Sequence, residues 1–201
     1  MTTDTNGVQD VFVRSMNGIQ SSRVSVSRDG VQANAESRHP AISALGNRVA
    51  FSSSATNLTL ASDTNQKPDV FTRVIADGER TTERVSRSSV GDQANGGSFR
   101  PSVNEDGTKV SFQSGATNLT GTPDVNNVSD VFITNISCSP FCTNLVSVGS
   151  DGLAADRMSR DSDLTADGKM VLFNSLEQLT AEPDKNEGRF DIYARVLPMS
   201  S

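Results

Sequence analysis

The 201 residues carry a net charge of −6 with acidic and basic side chains intermixed, only 5% aromatic residues and no basic run. That balance argues against a nucleic-acid partner. No apolar run approaches the ~18 residues of a membrane-spanning helix. Met1-Thr2-Thr3-Asp4 lacks the charged and apolar parts of a signal peptide.

The chain is long enough to bury a core in one domain or a repeat array. Ser, Thr, Asn, Asp and Gly fill the space left by a 34% hydrophobic content. This composition suits many short strands joined by polar turns.

Residues 10–14, Asp-Val-Phe-Val-Arg, are β-branched and aromatic and predict a strand. Asn17-Gly18 marks a turn. Residues 23–27 alternate apolar and polar side chains and predict a second strand. Asp29-Gly30 ends it, and Gln32-Ala33-Asn34 opens a polar loop. Residues 39–43 predict a third strand, with Pro40 at its start, where a missing N–H is tolerated. After a turn at Leu45-Gly46-Asn47, residues 48–53 predict a fourth, and Thr56-Asn57-Leu58 leads to Asp63. Gly, Asn, Asp and Pro interrupt every candidate helix.

The same order then recurs. Asp4-Thr5-Asn6 leads to Asp10-Val11-Phe12, Asp63-Thr64-Asn65 to Asp69-Val70-Phe71, and Asp124-Val125-Asn126 to Asp130-Val131-Phe132. Asp184-Lys185-Asn186 leads to Asp191-Ile192-Tyr193, with one extra residue in the loop. The leading Asp residues are 59, 61 and 60 positions apart. The third copy is looser: Ala155-Asp156 replaces Ala-Asn, and Ser162 stands where Pro40 and Pro101 stood. A fixed period with four strands per copy is the signature of a β-propeller blade. The chain reads as one repeat domain, residues 1–201, with copies over 4–62, 63–123 and 124–183 and a partial copy over 184–197.

The unit carried by Pro101, Ser102, Val103, Asp106, Gly107, Lys109, Val110, Phe112, Asp124, Asn126, Asp130, Val131 and Phe132 resembles the WD-like β-propeller repeat of TolB-type bacterial proteins. Leu45-Gly46 departs from the Asp-Gly turn of that pattern. The resemblance implies an all-β fold of four-stranded antiparallel blades, often secreted or periplasmic and often protein-binding, without one shared catalytic set. In that strand order the chain holds two outer strands, two full blades and three strands of another, about three blades in all. Such an arc leaves blade edges exposed, which favours either association of copies or a longer parent chain.

The best site candidates are the recurring loops: Asp4, Asn6 and Asp10; Asp63, Asn65 and Asp69; Asp124, Asn126 and Asp130; Asp184, Asn186 and Asp191. Two readings stand. Oxygen ligands at short alternate spacing suit a hard cation such as Ca²⁺, with Asn95 or backbone carbonyls completing the second copy. Asp and Asn also cap turns through backbone amides, and the loops lack the carboxylate density and Gly of a dedicated calcium loop, which favours this reading.

Cys138 and Cys142 read as a disulfide pinning a hairpin end, which requires an oxidising compartment, or as two free thiols in a turn; the disulfide is preferred, because the two would face each other across a short loop. No residue set is nominated for catalysis. His39 is the only histidine, and its repeat equivalents are Arg100 and Asp161, as expected of a solvated loop position. The acidic group Asp151, Asp156, Asp161, Asp163 and Asp167 reads as a solvated edge.

Three functions compete: a protein- or glycan-binding scaffold acting through loops on one rim, an accessory propeller of a larger hydrolase, and a carbohydrate-active propeller enzyme. The first is preferred, in a periplasmic or extracellular setting.

Overall fold

The computed structural model describes residues 3–16, 18, 20–76, 80–121, 124–139, 141–181 and 188–198. Among them are thirteen strands and no helix. The strands are β1 Phe12–Arg14, β2 Ser21–Arg23, β3 Ser37–Ile42, β4 Arg48–Ser53, β5 Asp69–Val74, β6 Thr82–Arg84, β7 Ser98–Val103, β8 Lys109–Ser114, β9 Asp130–Asn135, β10 Cys142–Leu145, β11 Ser159–Leu164, β12 Met170–Ser175 and β13 Asp191–Val196. They form four antiparallel sheets in chain order: β1-β2, β3-β4-β5-β6, β7-β8-β9-β10 and β11-β12-β13. Each full blade takes two strands from one sequence copy and two from the next, so the sequence period and the blade are out of phase.

Register follows from the aromatic positions. Phe51 pairs with Phe71 across β4 and β5, Phe112 with Phe132 across β8 and β9, and Phe173 with Tyr193 across β12 and β13. Their ring centroids lie 5.9, 6.1 and 5.9 Å apart, within the range for offset aromatic pairs. Each pair faces the preceding blade. Val11, Val24 and Ala33 pack on Val49, Phe51 and Phe71; Val70, Val85 and Ala94 on Val110, Phe112 and Phe132; Val131, Val146 and Ala155 on Val171 and Phe173. The core is therefore three apolar layers, each shared by two neighbouring sheets. Hydrogen bonds repeat this coupling at the outer edge, where the Thr82 hydroxyl donates to Val26 O at 2.7 Å and Thr143 to Arg87 O at 2.8 Å.

Two predicted strands are displaced. The segment expected over 23–27 forms β2 only up to Arg23. The amides of Val24 and Ser25 then both point at Val11 O, and Val26 N donates to Val24 O, so the chain curls away from the ladder. Val24, Ser25 and Val26 are all buried, so the apolar–polar alternation that resembled a strand does not correspond to two faces of one. The inner strand expected over 39–43 begins earlier, at Ser37, and its ladder shifts register between Arg38 and Ala41. His39 is thus a strand residue at a β-bulge rather than a loop residue, with φ of 52°.

Candidate functional site

The Asp-x-Asn loops fold around their own backbone. Asp63 Oδ1 accepts the amides of Asn65 and Gln66, and Asn65 Oδ1 accepts that of Lys67. The fourth loop residue is left-handed in each described copy: Gly7, Gln66 and Asn127, at φ of 65°, 55° and 56°. This is turn capping of the kind Asp and Asn side chains provide. Asn6, Asn65 and Asn126 each send their amide to the carbonyl of Ala33, Ala94 or Ala155, tying the loop to the following polar loop.

The second carboxylate of each copy closes the same unit. Ser86 Oγ donates to Asp69 Oδ1 at 2.7 Å and accepts the Val70 amide at 3.1 Å. Ser25 and Asp10, and Ser147 and Asp130, repeat the contact. In the second copy, Gln93 Nε2 bridges Asp63 Oδ1 and Asp69 Oδ2, 2.8 Å from each. In the first, Gln32 Nε2 bridges Asp4 and Asp10 at the same distances. A guanidinium completes the charge balance: Arg84 Nε lies 3.0 Å from Asp69 Oδ2, and Arg23 Nε lies 3.2 Å from Asp10 Oδ2. The residue expected to converge with Asp63, Asn95, binds Thr117 and Asn118 instead. Gln93 takes that role. The recurrence of Arg-Val-Ser and Gln-Ala-Asn in the first two copies was the sequence signal for these partners.

The third copy lacks both. Leu145 stands at the Arg position and Ala154 at the Gln position. Asp124 and Asp130 are buried against each other, and Asp124 Oδ2 accepts from no N–H or hydroxyl. Burial pushes the Asp130 carboxyl up to about 7, partly offset by Ser147 and Asn126 and reinforced by Asp124. Burial pushes Asp69 up to about 6, against the pull of Ser86, Arg84 and Gln93. In the fourth copy, Asp184 and Asn186 lie outside the described residues, and Asp191 opens β13 opposite Ser175.

Cys138 and Cys142 are joined by a disulfide between β9 and β10, with Cα atoms 5.7 Å apart.

A second feature was not visible from the sequence. His39, Arg100 and Asp161 occupy one bulge position in β3, β7 and β11, all with φ near 50°. Left-handed backbone is uncommon for residues other than Gly, and here it recurs in three blades. Arg100 Nη1 meets Asp161 Oδ1 at 3.0 Å, linking two inner strands. His39 Nδ1 lies 2.9 Å from Ser52 Oγ, which donates to Arg38 O. Ser52 is buried, so this pair fastens the bulge instead of presenting a nucleophile. Partial burial and the nearby Arg100 and Arg38 charges lower the His39 pKa.

Comparison with solved structures settles the architecture. TolB from Acinetobacter baumannii superposes with a TM-score of 0.51 at 17% identity, covering 94% of this chain and 35% of that one. The fold is a TolB-like β-propeller. A structure assigned as TolB from Agrobacterium tumefaciens gives 0.50 at 12% identity, covering 93% of this chain and 57% of that one. The TolB-like chain thus spans about a third to somewhat over half of these neighbours. No protein-family description matches the sequence, and no curated protein matches it. No helix among the described residues is long and apolar enough to cross a membrane.

Proposed function

We propose that this TolB-like segment is a binding scaffold that takes an extended protein segment along its loop rim. The observation behind this reading is a pair of contiguous clefts. One, of about 420 Å³, is bordered by Val31 and Leu60, which are 57% and 89% exposed, and by Arg28, Asp29 and Glu83. The other, of about 430 Å³, is lined by Ala61, Arg84, Arg87 and Phe141 among others. Both include Thr59, Thr82 and Glu83, so one chain could run through both. Aliphatic side chains this exposed and close together, ringed by charge, suit an apolar anchor with a polar margin. The Cys138–Cys142 disulfide supports an oxidising, periplasmic or extracellular location.

A peptide-array screen followed by titration of the best binder tests the reading. Leu60→Ser with Val31→Ser should weaken binding by about tenfold or more without lowering Tm. Equal binding by the double variant, or hits only on a glycan array, would overturn it.

A further inference from the structure

The third copy differs from the first two in the partners of its paired carboxylates. In the second copy, an amide nitrogen sits between Asp63 and Asp69, and a guanidinium lies against Asp69. The first copy is built the same way. Their positive and amide partners already fill the space between the carboxylates, which argues against a cation there.

At Asp124 and Asp130 the amide is replaced by Ala154 and the guanidinium by Leu145. Asn126 recovers part of the lost bonding: its Nδ2 donates to Asp130 Oδ2 at 2.9 Å as well as to Ala155 O at 2.6 Å. Asp124 Oδ1 takes the Asn126 amide at 3.0 Å. Asp124 Oδ2 accepts from no N–H or hydroxyl, although the residue is only 8% exposed, and the two carboxyl groups lie within hydrogen-bonding reach of each other. Among the described residues no Lys or Arg forms an ion pair with Asp124 or Asp130. Two buried carboxylates facing each other on one short loop need a positive charge between them, a cation or a shared proton, because an unpaired buried charge is costly.

We infer that the Asp124–Asp130 pair of the third copy binds a hard divalent cation of the calcium class, in the place that Gln93 and Arg84 occupy in the second copy. Asp124 Oδ2 and Asp130 Oδ2 supply the charged ligands, and water completes the shell, as oxygen-binding cations allow. With only two carboxylates the site is weak, with a Kd in the range of about 10⁻⁴–10⁻³ M typical of extracellular modules. The inference is independent of the rim clefts.

The test is thermal unfolding of the 201-residue chain at pH 7.5 with 10 mM CaCl₂, with 10 mM MgCl₂, and with EDTA, paired with calorimetric titration. Calcium should raise Tm by roughly 3–6 °C, reversibly. Leu145→Arg with Ala154→Gln, which rebuilds the second-copy arrangement, should abolish the response while leaving the metal-free Tm unchanged or higher. Asp124→Asn, a gentler change, should also abolish it. A Tm that shifts by under about 1 °C with either ion overturns the inference, with the carboxylates then sharing a proton. A calcium response that persists in Asp124→Asn overturns it too, by placing the ion elsewhere.

Discussion

β5 and β13 read almost alike, Asp-Val-Phe-Thr-Arg-Val and Asp-Ile-Tyr-Ala-Arg-Val, but only one lies inside the stack. Every residue of β5 is buried, whereas β13 alternates between half-buried and exposed. Val70 is fully buried and its equivalent Ile192 is 77% exposed. The residues of a blade set its own hydrogen bonding and the direction of its side chains. How much each apolar side chain contributes depends on the neighbouring blade. Stability here is therefore a sum over interfaces, as in repeat proteins generally.

The largest expected contrast lies at the aromatic position facing the preceding blade. Phe71 is fully buried and stacked on Phe51, while its equivalent Phe12 is 46% exposed under the Arg23 guanidinium. Phe71→Ala should cost about 3–5 kcal/mol, whereas Phe12→Ala should cost about 1 kcal/mol or less. Denaturant melts of the two variants measure the difference. Similar losses would show that Phe12 is covered in solution.

Next in size is the charge balance of the second copy. Arg84→Leu copies the residue found at position 145 and leaves the Asp69 carboxylate without its ion pair. The expected loss at pH 7.5 is about 2–4 kcal/mol, shrinking towards pH 5 as Asp69 takes up a proton. Asp69→Asn isolates the pH effect. With a native pKa near 6 and an ordinary value near 3.8 when unfolded, native Asp69 holds its proton where the unfolded chain has released it. Stability therefore falls as pH rises from about 4 to about 6 and is level above, a loss of up to about 2–3 kcal/mol. Asp106, held low by Thr108, acts in the opposite direction but equally in both proteins. The wild type should lose stability relative to Asp69→Asn across that window. A difference independent of pH would refute the raised pKa.

The sequence made the strand order legible because Asp-Val-Phe, Asp-Gly and Pro recur at one spacing, and a period carries more information than any single residue. It misplaced the second strand because Val24, Ser25 and Val26 are all buried beyond the end of the ladder, Ser25 on the Asp10 carboxylate, so alternating residue types there do not mark the two faces of a strand. The loops were legible as Asp-Asn turns. The repeats marked Arg84 and Gln93 as recurring but did not pair them with Asp63 and Asp69, because Gln93 lies 30 residues beyond Asp63 and only the fold brings them together. The left-handed bulge at His39, Arg100 and Asp161 left no compositional trace, since none of the three is Gly.

The smallest expected effect tests the open face itself. Ile192, Ala194 and Val196 alternate outward on β13, and Leu172 is exposed beside them on β12. At the equivalent Val70 a lysine would bury an unpaired charge between two sheets. At Ile192 the ammonium would point into water while its stem covers part of the same surface, so Ile192→Lys should change Tm by no more than about 1–2 °C. The measurement is a Tm series over a hundredfold range of protein concentration. If a second copy covers this face, the wild-type Tm will rise with concentration and Ile192→Lys will remove that rise. If the face is free, both proteins will melt at fixed temperatures, and the contrast between β5 and β13 holds as drawn.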